Sequence, residues 1–300
     1  MYDRILVPTD GSEAARRAGE HAAFLAHAFD ADVHALSVVN LDALAGPFDA
    51  GGIDPQTIET YEAAAHDQLE ALVDAIDREA VHTEVVHGHP ATGIVDYAAD
   101  ADVDMIAMGT HGRTGVERYV VGSVTERVLR TSPVPVFTTR AGPEEDEPIT
   151  GYEDVLVPTD GSERAAAAIE HGVAVAEAAG ARLHAVSVVD EPDRGDAGLA
   201  RPADLQNDVE AEAATATEAV AERGTAAGLE TVTAVRQGVP AEELLSYVEE
   251  AGVDLVAMGT QGRTGLSRYL LGSTTERIVR HAPVPVLAVN ARDREGAPDA

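Results

Sequence analysis

The segment Leu6-Val7-Pro8-Thr9-Asp10-Gly11-Ser12-Glu13 decides the fold, because it returns unchanged as Leu156-Val157-Pro158-Thr159-Asp160-Gly161-Ser162-Glu163. The stretch from Gly109 to Arg130 returns at the same offset, as Gly259 to Arg280, whereas residues 41–80 have almost no counterpart. Self-similarity at a fixed spacing is typical of a repeated structural unit. The repeat therefore predicts that the chain contains two copies of one domain of about 140 residues, an ordinary domain size.

The repeat also predicts where the chain divides. Residues 1–140 form the first expected domain and residues 151–290 the second. Residues 141–150 are acidic and contain Pro143 and Pro148, a composition typical of a linker. Residues 291–300 are polar and predict a frayed tail.

Short apolar runs alternate with helical patterns inside each copy. The first copy predicts strands at 5–7, 33–39, 83–86, 104–108 and 134–137, and helices at 12–29, 57–80, 91–99 and 123–130. Ser12 is the expected cap of the first helix, and Ser123-Val124-Thr125-Glu126 fits a capping box. This alternation predicts an α/β fold with a parallel sheet that is covered by helices on both faces. Ligands of such sheets bind at the carboxyl ends of the strands, where the strand order reverses.

A glycine-rich segment follows the fourth predicted strand and leads to a helix start. It reads Gly109-Thr110-His111-Gly112-Arg113-Thr114-Gly115 and continues to Gly122-Ser123. Glycine lets the backbone approach a ligand, and a helix start offers free N–H groups to an anion. Residues 109–130 hold four Arg and two Glu, and residues 259–280 hold four Arg and one Glu, so both segments are basic. A Walker A loop is excluded because the chain has no Lys, and the spacing differs from the dinucleotide fingerprint.

The overall composition excludes several classes of function. The chain carries 53 acidic and 21 basic residues, a net charge of −32, which argues against nucleic acid and anionic membranes as partners. The acidity fits either a solubilising surface or adaptation to a salt-rich cytoplasm. The absence of Cys excludes disulfides, thiolate metal sites and a cysteine nucleophile. With no long apolar run and no signal-like start, the expected location is the cytoplasm.

The glycine spacing resembles the ATP-binding signature of the universal stress protein family. That spacing is Gly109-x2-Gly112-x9-Gly122-Ser123, and it recurs from Gly259 to Ser273. The resemblance implies two tandem open parallel sheets of five strands, in the order 3-2-1-4-5, with an adenine-nucleotide alpha-hydrolase-like fold. It also implies a fused version of the family's dimer, with Val134–Phe137 and Val284–Leu287 near the junction.

The same resemblance implies one nucleotide site in each half. The positive charge of the two basic segments, 109–130 and 259–280, adds Arg113 and Arg263 as the arginines expected nearest the ligand. The two sites differ at His111 against Gln261 and at Val124 against Thr274, which leaves unequal affinity open. The candidate residues are Pro8, Thr9, Asp10, Val38, Met108, Gly109, Gly112, Arg113, Gly122, Ser123 and Thr125 in the first half, and Pro158, Thr159, Asp160, Val188, Met258, Gly259, Gly262, Arg263, Gly272, Ser273 and Thr275 in the second.

The leading hypothesis is an ATP-binding stress or regulatory protein that acts by binding and not as an enzyme. Its cofactor would be ATP or another adenine nucleotide, and Mg²⁺ or Mn²⁺ would arrive with it. No further metal site is expected, because His87-Gly88-His89 has the counterpart Gln237-Gly238-Val239. A slow ATPase or nucleotidyl transferase and an interaction module with vestigial sites are the alternatives, and further association of two chains stays open.

Overall fold

Strands and helices alternate through both halves of the chain. The structure is a computed structural model, and it describes residues 1–41, 54–76, 81–112, 121–140, 149–190, 203–262 and 271–290. Arg113 and Arg263 of the expected sites lie outside these ranges. The first half contains β1 (Arg4–Thr9), α1 (Glu13–Phe29), β2 (Asp32–Val39), α2 (Pro55–Ile76), β3 (Val81–His87), α3 (Pro90–Asp100), β4 (Met105–Gly109), α4 (Ser123–Thr131) and β5 (Val136–Thr139).

The second half repeats this element order. The helix α1 and its counterpart begin alike, because the Ser12 and Ser162 side chains accept hydrogen bonds from the backbone N–H of Ala15 and Ala165. Ser12 therefore caps its helix as predicted. The elements are β6 (Asp154–Pro158), α5 (Glu163–Ala179), β7 (Arg182–Val189), α6 (Ala203–Ala226), β8 (Thr231–Gln237), α7 (Pro240–Ala251), β9 (Leu255–Gly259), α8 (Ser273–His281) and β10 (Val286–Val289).

The strands of the described residues form one sheet in the order β3-β2-β1-β4-β5-β10-β9-β6-β7-β8. Pairing is parallel within each half, which confirms the α/β fold and the strand order 3-2-1-4-5. The expectation of two separate sheets is corrected, because β5 and β10 pair antiparallel, with Phe137 opposite Leu287. Each fifth strand would otherwise leave an open edge of unpaired backbone groups, and this pairing closes both edges.

Helices cover both faces of the sheet. On β1, Ile5 and Val7 point to one face and Leu6 to the other, and all three are fully buried. The first face packs on α1, α2, α5 and α6, and the second on α3, α4, α7 and α8. The apolar core is continuous across the two halves on both faces, so the junction is part of the core.

Two reciprocal hydrogen bonds join the halves beside the central strands. The Tyr2 hydroxyl lies 2.6 Å from His171 Nδ1, and the Tyr152 hydroxyl lies 2.8 Å from His21 Nδ1. Each half supplies the tyrosine of one bond and the histidine of the other, as in an interface with two-fold symmetry. The tandem chain therefore has the arrangement of a dimer fused into one polypeptide.

Candidate functional site

A cavity of about 390 Å³ opens at the carboxyl ends of β1 and β4, the position where the strand order reverses. Every first-half candidate residue within the described ranges lines it. These residues come from the ends of three strands, from the glycine segment and from the start of α4. They are Pro8, Thr9, Asp10, Val38, Met108, Gly109, Gly112, Gly122, Ser123 and Thr125.

The loop after β1 is shaped by its own side chains. Asp10 Oδ1 accepts a hydrogen bond from the Ser12 N–H at 3.0 Å, and Thr9 Oγ1 accepts one from the Gly11 N–H at 3.1 Å. Gly11 has φ +74°, a left-handed conformation that favours glycine. A Cβ built at Gly112 would lie 2.5 Å from Asp10 Oδ2, so the glycine segment passes directly over this carboxylate.

The end of β4 approaches α1 closely. A Cβ built at Gly109 would lie 2.6 Å from the Ala14 Cβ, so this glycine is required by packing against the helix. The buried Thr125 hydroxyl donates to the Gly109 carbonyl at 2.8 Å. This bond ties the first turn of α4 to the end of β4 and thereby fixes one wall of the cavity.

The start of α4 faces the cavity with its backbone donors. Gly122 is the N-cap, and no side chain in the described residues caps the first turn. The expected capping box at Ser123 is wrong, because the Gly122 N–H donates to the Thr110 carbonyl at 2.7 Å and starts the helix at Ser123. Ser123 is consequently exposed in the first turn and lines the cavity. The free N–H groups and the positive end of the helix dipole favour an anion here.

Several residues of the cavity were not among the predicted ones. Gln68 reaches it from α2, where its Oε1 accepts a hydrogen bond from the Ser37 hydroxyl at 3.3 Å. Because residues 41–80 carry almost no repeat signal, Gln68 could not be selected as a site residue from the repeat. The others are Ser12, Ala15, Leu36, Ser37, Pro90 and Ile94, whereas His111 and Val124 are positions at which the sequence had already distinguished the two sites.

The second half repeats the framework of this site. Asp160 Oδ1 accepts from the Ser162 N–H at 3.0 Å, and the Thr275 hydroxyl donates to the Gly259 carbonyl at 2.8 Å. The Gly272 N–H again donates to the carbonyl of Thr260, at 2.8 Å, and Gly272 is the N-cap of α8. Pro158 ends β6 and Thr159 follows it, whereas β1 extends to Thr9. Val188 lies near the end of β7, Met258 lies in β9, Gly262 follows β9, and Ser273 begins α8.

One difference between the halves concerns the helix that carries Gln68. The buried residues of α2 are Ala65, Leu69, Leu72 and Ile76, and those of α6 in the same phase are Ala213, Thr217, Val220 and Gly224. In this alignment, Ala216 takes the place of Gln68. The second half therefore lacks the amide that lines the first-half cavity.

The histidines of the second strands serve the framework of the fold. His34 Nδ1 lies 2.9 Å from the Tyr97 hydroxyl, and His184 Nδ1 lies 2.8 Å from the Tyr247 hydroxyl. Burial lowers the pKa of His34, so its ring is neutral at pH 7. Across the parts of the chain that the structure describes, no cluster of three or more His, Asp or Glu side chains could hold a metal ion.

Comparison with known proteins shows the family. The model of the universal stress protein family matches residues 1–140 and matches again at residues 151–290. The chain belongs to the universal stress protein family. Among curated relatives, a universal stress protein of Methanocaldococcus jannaschii is 36% identical over 142 residues, which is 47% of this chain and 83% of that protein. A universal stress protein of Synechocystis is 26% identical and covers 94% of this chain and 98% of its own length.

A solved structure extends the likeness to both halves of this universal stress protein. A universal stress protein from Archaeoglobus fulgidus superposes with a TM-score of 0.69 at 26% identity, over 98% of each chain. The tandem arrangement is therefore also found in a crystal structure from the same family. None of the helices in the described ranges is both long and apolar enough to cross a membrane.

Proposed function

We propose that each half of this universal stress protein binds an adenine nucleotide, ATP in the first place, and that the chain is a stress-response or regulatory protein. The observation that carries the proposal is the convergence of the candidate residues on one cavity beside an uncapped helix start. The family resemblance implied these residues from the sequence, and those of the first half that the structure describes meet in space. The site falls where open α/β sheets bind ligands.

The cavity fits a nucleotide in size and in chemistry. Its volume of about 390 Å³ falls within the range of small-molecule sites. The start of α4 and the exposed Ser123 hydroxyl would receive the phosphates, because helix starts favour anions. Asp10 would meet the ribose, the backbone of Val38 the base, and Met108 the nucleoside. Arg113 and Arg263 would supply positive charge near the phosphates, and Mg²⁺ or Mn²⁺ would accompany ATP.

Binding is the proposed activity, and hydrolysis is the alternative that an experiment must separate from it. A hydrolase or nucleotidyl transferase needs a group that positions water or an acceptor. Among the described residues that line the cavity, Asp10 supplies the carboxylate, and its Oδ1 already accepts from the Ser12 N–H within the turn. Because this oxygen is already used within the turn, Asp10 is better suited to shape the loop and contact the ribose than to act as a general base.

Two assays in concentrated salt test this proposal. Calorimetric titration with ATP and Mg²⁺ should show saturable binding, and no binding in either half would contradict the proposal. In a single-turnover assay, we expect hydrolysis slower than about one per minute, a rate well below that of most enzymes. Faster hydrolysis would favour the alternative function, an ATPase or nucleotidyl transferase.

We further propose that the acidity adapts a cytoplasmic protein to concentrated salt. A net charge of −32 produces self-repulsion that counterions screen within about 3 Å at molar salt and about 30 Å at 10 mM. Circular dichroism should therefore show loss of structure on dilution from molar to millimolar salt. An unchanged spectrum would contradict this adaptation and leave the nucleotide site unaffected.

A further inference from the structure

One face of α1 carries arginines that are neutralised within the chain. Arg16 forms ion pairs with both Glu13 and Glu20, and Arg17 Nη1 lies 2.9 Å from Glu20 Oε2. The Arg17 side chain is only 11% exposed. Burial and the charge of Arg17 together lower the pKa of His21 to about 3. The Arg17 guanidinium therefore lies in the junction between the halves, next to the buried Tyr–His pair.

The equivalent face of α5 has lost both arginines. Alanines, Ala166 and Ala167, stand between Glu163 and Glu170 where α1 has Arg16 and Arg17 between Glu13 and Glu20. A cavity of about 590 Å³ opens at this point, and the second Tyr–His pair, Tyr2 and His171, lines it. Its position matches the space that the arginine side chains fill on the other side of the junction.

The carboxylates of this cleft are correspondingly uncovered. The Glu170 side chain is 66% exposed, whereas its counterpart Glu20 is 19% exposed beneath its two arginines. Asp104 lines the opposite wall, where its Oδ2 is held by the backbone N–H groups of Asp3 and Arg4 at 2.8 Å and 3.0 Å. Arg223 partly neutralises the charge of Glu170, because its Nη1 lies 3.6 Å from Glu170 Oε1.

We propose that this cleft binds an arginine-type ligand, with a guanidinium group placed as the Arg17 guanidinium is placed on the other side. The guanidinium fork matches carboxylate geometry, and equivalent glutamates already bind guanidinium groups elsewhere in the same molecule. Ala166, Ala167, Pro135 and Val289 give an apolar wall to the alkyl stem of such a ligand. The site is separate from the nucleotide cavity and does not depend on it.

The guanidinium group can come from two sources. One is a free small molecule such as agmatine or arginine. The other is the chain itself, because Asn290 lines the cleft and the sequence continues with Arg292 and Arg294. A chain in which both are replaced, Arg292→Ala with Arg294→Ala, separates the two sources.

The test is calorimetric titration of the full chain with agmatine, at the lowest salt that preserves its circular dichroism. Putrescine is the control ligand, because it carries charge without the planar fork. Glu170→Gln should weaken agmatine binding at least tenfold, whereas Glu249→Gln on the opposite face of the sheet should leave it unchanged. Ala167→Arg should abolish binding by supplying the guanidinium in the chain, and Ala99→Arg on α3 is its charge-matched control.

Each outcome bears on the proposal. Binding of agmatine to the native chain with these variant effects supports a free ligand. Binding that emerges only after Arg292 and Arg294 are replaced supports the chain's own arginine as the occupant. Absence of binding in both chains overturns the proposal. Equal binding of putrescine, or equal losses in Ala167→Arg and Ala99→Arg, also overturns it, because the attraction would then be general charge.

Discussion

The two halves share one backbone plan but place their charges differently at the start of the first two strands. In the first half, Arg4 opens β1 opposite Asp32, and in the second half Asp154 opens β6 opposite Arg182, with the signs exchanged. Arg4 donates to the Ala101 carbonyl at 2.7 Å and stays partly exposed. Asp154 is buried and accepts from both Arg182 and His184 at 2.7 Å.

The charge exchange lies away from the proposed ligand sites, where the two halves are more alike. The halves agree in sequence at the glycine segment and at the loop after the first strand, where backbone geometry needs particular residues. They differ where side chains fill space, as at Gln68 against Ala216 and Arg17 against Ala167. The fold tolerates such exchanges, so each half can acquire its own affinity and surface.

Blocking both helix starts together should have the largest effect on nucleotide binding. Gly122→Val with Gly272→Val should reduce nucleotide affinity by roughly 100-fold or more, because the side chains obstruct backbone approach. Valine can adopt the backbone of both positions, with φ near −62° and −63°, but a Cβ at Gly272 would lie 3.2 Å from the Thr260 carbonyl oxygen, so circular dichroism is the control for folding of the double variant. Titration calorimetry measures the effect.

The single variants, Gly122→Val and Gly272→Val, test the two sites separately. Each should remove one of two sites and halve the stoichiometry. Gly122→Ala is the control, because its Cβ would lie 3.4 Å from the Thr110 carbonyl and leave the helix start accessible. Undiminished affinity in the double variant would show that the nucleotide binds elsewhere.

Acid should weaken the junction mainly through one of the two Tyr–His pairs. Burial lowers the folded-state pKa of His21 to about 3 from 6.5, so the unfolded state takes up its proton first as pH falls. The stability that neutral His21 provides is therefore complete above pH 6.5 and is lost below it, on the order of 3 kcal/mol at pH 4.

Denaturant unfolding between pH 7 and pH 4 checks this effect. His21→Gln should flatten the dependence on pH, because its amide can still accept from Tyr152 and does not titrate. Burial also lowers the pKa of His171, which is less enclosed, so His171→Gln should flatten the curve less. Equal slopes in all three proteins would refute the role of these histidines.

Removing the charged side chain that opens the first strand should lower the free energy of unfolding more in the second half, at Asp154, than in the first half, at Arg4. Burial raises the pKa of Asp154, but the hydrogen bonds and positive charges of Arg182 and His184 together lower it by more, so the net shift is downward. Asp154→Asn should lower the free energy of unfolding by about 2 kcal/mol, because charged hydrogen bonds are lost. Arg4→Gln should cost less than about 1 kcal/mol, as expected for an exposed pair. A larger loss in Arg4→Gln would reverse the comparison.

The smallest expected effect concerns Gln68. In the Gly272→Val background, where only the first-half site remains, Gln68→Ala should weaken nucleotide binding by about 3-fold to 10-fold, the equivalent of one hydrogen bond. Gln56→Ala, at the exposed start of the same helix, is the matched control. No change in Gln68→Ala would mean that the amide does not reach the ligand.

Local patterns in the sequence predicted much of this architecture. Alternation of apolar runs with helical segments and the Ser12 cap indicated the element order, because these signals depend on neighbouring residues. The glycine spacing carried the resemblance to the family, and the first-half residues implied by that resemblance line one cavity where the structure describes them. The recurrence of Tyr2 and His21 as Tyr152 and His171 was also visible, but their pairing across the halves needed the structure.

What could not be predicted depends on contacts between distant segments. The resemblance implied that the fifth strands lie near the junction, but their antiparallel pairing into one sheet is made by backbone groups, which leave no trace in the side-chain pattern. The helix start at Ser123 depends on the Thr110 carbonyl, and not on the local capping residues. Gln68 and the cleft beside Ala167 arise where the copies diverge, so the repeat itself gave no guidance there.

A crystal structure of the chain grown with ATP and Mg²⁺ would show where the nucleotide binds. We expect density for the phosphates against the first turns of α4 and α8, within hydrogen-bond distance of their backbone N–H groups. The base should lie beside Val38 and Val188. Nucleotide bound away from both helix starts, or cavities closed by side chains in the presence of saturating ATP, would contradict this expectation.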